Sequence, residues 1–140
     1  MENKNNEDLW QITLTKEQLL FVSKCVEDCV RFSSGQTELW NTISSLGIST
    51  NDFCKLRDTL DSVHPLVVPE LPPNTSYGWT GGNCPRKSAK KIIAQGYMIY
   101  REILHQVAKD EGWDNVYSGS TLTCPEQGRM IEVRKLSKDE

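Results

Sequence analysis

The sequence lacks any long apolar run, and this absence argues against a helix that crosses a membrane. Within the 140 residues, the longest mostly apolar stretches, such as Leu19 to Val22 and Leu66 to Val68, are far shorter than the roughly 20 residues that such a helix needs. The opening stretch from Met1 to Asn6 also lacks the apolar core of a signal peptide. We therefore expect a cytoplasmic protein.

Recognisable catalytic motifs are missing as well. The sequence contains no HExxH, GxSxG or DxD-type string, and its two histidines, His64 and His105, have no motif around them. A nucleophile pair of Cys84 with His105 would define a small hydrolase, but nothing in the spacing supports this pair. We expect no catalytic residue, no cofactor and no bound metal.

The five cysteines are an odd number at irregular spacing, without any CxxC pair, which favours reduced thiols over a disulfide framework. Cys25 and Cys29 are four residues apart on a predicted helix, so their side chains share one face. A zinc site there would need two more ligands from Cys54, His64 or His105. The alternative, which we favour, is that the thiols are buried as small apolar side chains.

Length and charge further narrow the possible domain organisation and the possible binding partners. A chain of 140 residues with 37% apolar residues suits one domain that gains from forming an oligomer. The net charge of −3 conceals an asymmetry, because residues 1 to 80 carry 6 basic and 11 acidic groups (6 − 11 = −5) and the remainder 10 and 8 (10 − 8 = +2). The second part can attract a small anion, whereas the acidic balance argues against duplex nucleic acid as the partner.

The first half of the chain is predicted to be mostly helical. Residues 1 to 8 form a polar, flexible tail, and the alternation from Leu9 to Leu14 predicts a strand. Thr15 and Gln18 then form a capping box that starts a helix running to about Phe32. Further helical spacing predicts a second helix up to Gly47 and a third from about Thr50.

The second half is predicted to contain a long loop, a long helix and short strands. The stretch 65 to 87 has too many prolines and glycines for a helix or a central strand. A stripe from Ile92 to Val107 predicts a helix that stops at Gly112, and residues 113 to 134 suggest two or three strands. We therefore predict an α+β fold over residues 9 to 140, with an N-terminal strand and helices, one long helix in the C-terminal half and a small antiparallel sheet, in an oligomer.

The segment Gly81 to Ser88 resembles a phosphate-binding loop, except that Arg86 occupies the position of the second glycine. A nucleotide-hydrolysing loop is therefore not expected. A helix N-terminus with Arg86 and Lys87 can still hold a phosphate, although a solvated basic helix face is an equal alternative. A second basic group contains Arg129, Arg134 and Lys135, for which charge at a strand edge that prevents aggregation is an equal alternative. Among the aromatic residues, Trp79 is the best placed to stack on a base.

Several short strings resemble small phage proteins, and the arrangement is similar to the phage-encoded Thoeris anti-defence family of nucleotide sponges. These strings lie at Ile12 to Leu19, Val30 to Gln36, Ser76 to Gly78, Tyr97 to Leu104 and Asn115 to Ser118. The resemblance implies a non-enzymatic α+β oligomer that sequesters cyclic ADP-ribose isomers and, in some members, cyclic oligonucleotides. A host immune effector would then never be activated.

The same resemblance implies a set of ligand-binding residues. Arg31 with Gln36 would line one pocket, while an aromatic residue, Asn115, Arg129 and Arg134 would hold the adenine and phosphates of another across a subunit boundary. Together with the residues taken from the two basic groups and the loop, the predicted ligand-binding set is Arg31, Gln36, Tyr77, Trp79, Arg86, Lys87, Asn115, Arg129 and Arg134.

A second hypothesis is a protein-binding module that inhibits a host enzyme. It predicts an exposed apolar patch, for which the stretch Leu66 to Leu71 together with Trp79 is the sequence candidate.

Overall fold

A computed structural model describes residues 8–78, 84–112 and 132–137 of the chain. Its elements in order are β1 (Trp10–Thr13), α1 (Lys16–Ser34), α2 (Trp40–Ser44), α3 (Thr50–Asp61), α4 (His64–Val67), α5 (Lys87–Glu111) and β2 (Glu132–Lys135). Helices and a small antiparallel sheet confirm the predicted α+β class. Across the described residues, no helix is long and apolar enough to cross a membrane.

The predicted capping box starts α1. The Thr15 hydroxyl accepts from the Gln18 amide at 3.1 Å, and the Gln18 side chain accepts from the Thr15 amide at 3.0 Å. The helix ends at Gly35, which takes the left-handed conformation with φ of 112°. A non-glycine residue would be strained at this φ, so the glycine fixes where α1 stops.

The core lies between α1 and α5. Buried apolar residues along α5, such as Ile93 and Leu104, pack with Val30 of α1 and with Val68, which directly follows α4. The two helices come close enough for the Ser23 hydroxyl to donate to the Tyr100 carbonyl oxygen at 3.1 Å, and they leave no space for a side chain at Gly96. The long helix is therefore the scaffold against which α1 is positioned.

The second helix is capped by a residue of the first. Leu39, the N-cap of α2, has a φ of 53°, and its side chain forms no hydrogen bond with the backbone amides of the helix. The Asp28 carboxylate of α1 takes that role, because it accepts from the amides of Asn41 and Thr42 at 3.1 and 2.7 Å and from the Thr42 hydroxyl at 2.6 Å. Asp28 is buried and therefore ties α2 firmly to α1.

The stretch after α3 differs from the prediction of an irregular loop. Its first residues form the single helical turn α4, with Pro65 in the first turn. Proline is tolerated there because the amides of a first helical turn have no partner within the helix. The chain from Val68 to Gly78 then continues without helix or strand.

The sheet pairs the two ends of the described chain. β1 and β2 are antiparallel, with Ile12 opposite Val133 and Gln11 opposite Arg134. One face presents Trp10, Ile12 and Val133, and the other presents the Arg134 guanidinium, which donates to Gln11 at 2.8 Å. The predicted strand at Leu9 to Leu14 is confirmed, whereas residues 113 to 131, where further strands are predicted, lie outside the described part.

Candidate functional site

The C-terminal end of α1 brings Arg31 and Gln36 together. The backbone amide of Gln36 donates to the Arg31 carbonyl oxygen at 2.8 Å across the turn at Gly35. This hydrogen bond folds Gln36 back over the last turn of the helix. The Arg31 guanidinium then donates from Nη1 to Gln36 Oε1 at 2.9 Å. The backbone turn thus creates the pair that the family resemblance implies.

Two further side chains hold the Arg31 guanidinium in place. Its Nε donates to Glu27 Oε2 at 2.9 Å, one helical turn earlier on α1. The other oxygen of Glu27 accepts from Asn41 Nδ2 at 3.2 Å. Gln36, Arg31, Glu27 and Asn41 therefore form one continuous chain of hydrogen bonds across the surface between α1 and α2.

A cavity of about 390 Å³ lies on one side of this chain of hydrogen bonds. It is enclosed by the end of α1, by α2, by the ends of α3 and α4, and by the backbone from Asn74 to Ser76. Its ionisable groups include three carboxylates, from Glu27, Glu38 and Asp61, against the single guanidinium of Arg31. This excess of negative charge disfavours a phosphate and favours groups that donate hydrogen bonds.

A second cavity of about 330 Å³ is also lined by Arg31 and Gln36. Arg31 is its only charged lining residue among those described, and Tyr100 gives it an aromatic wall. Burial is the main cause that raises the pKa of the Tyr100 hydroxyl above its usual range, with the negative charge of Glu27 acting in the same direction. The hydroxyl therefore remains neutral at pH 7, and the smaller cavity is the one suited to an anion.

The segment from Asn74 to Gly78 is held against α1 and α4. The Tyr77 amide donates to the Ser34 carbonyl oxygen at 2.8 Å. His64 Nε2 lies 2.6 Å from the Thr75 carbonyl oxygen, so this nitrogen is the one that carries the proton. The segment is thus fixed as one wall of the larger cavity.

The predicted site residues do not all come together. Tyr77, whose side chain is only 4% exposed, packs in the hydrophobic core and presents no free ring face. Arg86 forms an ion pair with Glu70 at 3.7 Å, and Lys87 is exposed at the start of α5. Arg134 lies on β2 and lines neither of the two cavities. The predicted positions Trp79, Asn115 and Arg129 lie outside the described residues.

Sequence reasoning did not identify several residues that line the cavities. Tyr100 lies on the apolar stripe of α5 and is buried, but it also borders the smaller cavity. Glu38, Asp61 and His64 belong to no motif, and only folding brings them to one cavity. No local signal in the sequence marks these three residues.

The expectation of buried thiols is wrong for the helical pair. Cys25 and Cys29 are exposed on α1, whereas Cys84 is buried and lies 3.4 Å from the Arg86 carbonyl oxygen. The stripe that carries Cys25 and Cys29 faces away from α5, because the opposite face of α1 forms the core contacts. The described residues contain no cluster of three or more His, Cys, Asp or Glu side chains that could hold a metal ion.

The Cys84–His105 pair is separated by the length of α5. Cys84 precedes the helix and His105 lies near its other end, and the rise from Lys87 to His105 alone is about 27 Å. A direct hydrogen bond between the two side chains within one chain is therefore impossible.

Comparisons with protein-family models, with curated proteins and with solved structures each gave no match to this chain.

Proposed function

We propose that the protein is a non-enzymatic phage anti-defence protein that binds and sequesters a cyclic nucleotide or a cyclic ADP-ribose-type immune second messenger. The observation that carries this proposal is the Arg31–Gln36 pair, which lines two cavities of about 390 and 330 Å³. Cavities of this size are within the range of small-ligand sites, roughly 300–1,000 Å³. The sequence resemblance implies a ligand at the same two residues.

The smaller cavity is where we place a phosphate of the ligand. The guanidinium has five N–H donors, of which Nε and one donor of Nη1 are used by Glu27 and Gln36. The remaining donors are available for phosphate oxygens, and charge-assisted bonds of this kind are among the strong ones in proteins. Tyr100 adds an aromatic surface beside them.

Binding without turnover is supported by the separation of the candidate nucleophile Cys84 from His105 along α5. In this proposal the protein acts by mass action, lowering the free concentration of the messenger in the host cytoplasm. We also propose that it works as a homo-oligomer, in which a second basic group that includes Arg134 would lie near a subunit boundary.

Native mass spectrometry and calorimetry with cyclic ADP-ribose isomers, cyclic dinucleotides and cyclic trinucleotides test this function. We expect one class to bind, and we expect the ligand to be recovered unchanged after heat denaturation of the complex. Arg31→Ala should weaken binding by roughly 10- to 100-fold, because about 1–3 kcal/mol of charge-assisted hydrogen bonding is lost. Arg57→Ala, which removes an arginine of α3 whose only partner among the described residues is its neighbour Asp58, is the matched control.

Absence of binding across this panel would overturn the proposal, and so would conversion of the ligand to a product. Equal affinity of the wild type and Arg31→Ala for the ligand would show that the binding site does not lie at the C-terminal end of α1.

An inhibitor module that binds a host enzyme is the second candidate, and exposed apolar side chains favour it. The predicted patch is reduced, because Val68 is fully buried and only Leu66 stands out, at 79% exposed. A more extended apolar surface lies on α5, where Met98 and Ile99 border an open groove that also contacts Leu19 and Ile103. Co-purification of one host enzyme, lost in Met98→Lys, would favour this candidate over the nucleotide sponge.

A further inference from the structure

The β1–β2 sheet has little support from the rest of the described chain. Every residue of both strands is exposed, and neither strand makes more than a marginal contact with a described helix. An isolated pair of strands is at best marginally stable in water, and it becomes stable when a further layer covers an apolar face. The sheet therefore needs a covering surface that the described part of the chain does not supply.

The side of the sheet that needs covering is its apolar face. Trp10 and Ile12 project to one side because alternate residues of a strand share a face, and Val133 joins them as the cross-strand partner of Ile12. These three side chains are 63%, 51% and 57% exposed, respectively. Large aromatic and β-branched side chains that are grouped and exposed to this extent mark a contact with another protein surface.

The charges on the apolar face are balanced and lie at one end of it. Lys135 is the cross-strand partner of Trp10, and its Nζ lies 3.4 Å from Asp8 Oδ1. One positive and one negative charge therefore border the apolar side chains, and their sum is zero. A surface adapted to an acidic or a basic protein would carry an excess of the opposite charge. Balanced charges instead fit a surface that presents the same two groups.

We propose that this face, formed by Asp8, Trp10, Ile12, Val133 and Lys135, is the contact between two copies of the chain. A twofold axis parallel to the strands places β1 of one copy over β2 of the other, with each cross-strand pair at the same level. Ile12 then packs on Val133 of the second copy, and Trp10 lies beside the ammonium of its Lys135. Asp8 of each copy faces Lys135 of the other, so opposite charges meet twice.

This contact rests on the homo-oligomer of the proposed function, to which it assigns an interface. Arg134 lies on the opposite face of the sheet, so the second basic group stays beside the subunit boundary without being covered by it. No described residue of either strand lines the two cavities at the end of α1. The cavities that contain Arg31 are therefore separate from the contact surface.

Sedimentation equilibrium of the full chain tests this contact. We expect a reversible dimer whose dissociation constant rises about tenfold or more in Ile12→Lys, because each copy would bury an ammonium group without an acceptor. Thr13→Lys is the matched control, since it adds the same charge to the opposite face of β1, across from Glu132, and should dimerise as the wild type does. Far-UV circular dichroism checks the fold of both variants.

A charge exchange decides the question if Ile12→Lys does not fold. Asp8→Lys should weaken the dimer about tenfold, because the face then carries only positive charges. Adding Lys135→Asp to this variant restores one charge of each sign, and the dissociation constant should return to within about twofold of the wild-type value.

The dimer is overturned if the wild type remains a monomer up to about 0.1 mM, or if Thr13→Lys weakens it as much as Ile12→Lys does. Loss of the dimer in Met98→Lys but not in Ile12→Lys would overturn it as well, since the contact would then lie on α5. A wild type that dimerises but binds no nucleotide would overturn the proposed sponge function alone. A monomer that binds a nucleotide through Arg31 would overturn the dimer alone.

Discussion

The Arg31 guanidinium donates to the Gln36 side-chain oxygen at 2.9 Å across the glycine turn that ends α1. Neither residue lies in the hydrophobic core, yet both border the two cavities that the described residues form around the helix end. Because Glu27 holds the same guanidinium from the helical side, Arg31 has a defined orientation before any ligand arrives. A positively charged group that is already oriented binds at a lower cost in conformational entropy.

Gln36→Ala should therefore weaken nucleotide binding less than Arg31→Ala does. The variant loses one neutral amide group, and Glu27 still holds Arg31, so we expect a loss of roughly 3- to 10-fold in affinity. A double-mutant cycle with Arg31→Ala, measured by calorimetry, should give a coupling energy of about 0.5–1.5 kcal/mol. Additive effects of the two substitutions would contradict the idea that Gln36 acts by positioning Arg31.

Asp28→Asn should destabilise the fold strongly, although the two side chains have nearly the same volume. The buried carboxylate accepts three hydrogen bonds from α2 and lies near Lys24, whose pKa is lowered mainly by burial and raised in part by the charges of Glu27 and Asp28. Removing the negative charge weakens the cap and leaves Lys24 with less compensation. We expect a loss of about 2–4 kcal/mol in the free energy of unfolding, measured in urea.

Asp58→Asn is the matched control for this change, because Asp58 is an exposed aspartate in the middle of α3 with only a surface contact to Arg57. It should alter stability by less than about 0.5 kcal/mol. Similar losses in the two variants would show that Asp28 has no special role as the cap of α2.

Gly96→Ala should also destabilise the protein, although alanine favours helices by about 1 kcal/mol over glycine. A Cβ atom at this position would overlap the Val30 side chain at the contact between α1 and α5. We expect a net loss of about 1–3 kcal/mol in unfolding free energy, with Gln95→Ala, on the exposed side of the same helix, near zero. In a double variant with Val30→Ala, the loss should be smaller than the sum of the single losses.

Local signals in the sequence predicted the elements but not their partners. The Thr15–Gln18 capping box, the stop at Gly112 and the stripe from Ile93 to Val107 all depend on residues a few positions apart, and each is confirmed. The pairing of β1 with β2 joins residues 119 to 125 positions apart, and neither four-residue strand carries a pattern that identifies the other as its partner.

The candidate site also combines residues that are close in the sequence with residues that only folding brings together. Arg31 and Gln36 are five positions apart and lie in one short string, so a resemblance in that string could suggest them together. By contrast, Glu38, Asp61 and His64 line one cavity only because α2 and α4 pack against α1 and α3 packs against α2. The count of charges along the sequence did not reveal this cavity either. It located the acidic surplus in the first half of the chain, but it could not show that some of these residues line one cavity.

Tyr100→Phe should make the protein more resistant to alkaline unfolding than the wild type. The pKa of the Tyr100 hydroxyl is raised above 10.0 in the folded state, first by burial and then by the charge of Glu27. In the unfolded chain the same group ionises near 10.0, so between these two pKa values the unfolded state binds fewer protons and the wild type loses stability as pH rises. Urea unfolding of both proteins from pH 8 to pH 11 should give a difference in free energy that is constant up to about pH 9.5 and then shifts in favour of Tyr100→Phe. A pH-independent difference for Tyr100→Phe would mean that its hydroxyl ionises alike in both states, and that the wall of the smaller cavity is open to water.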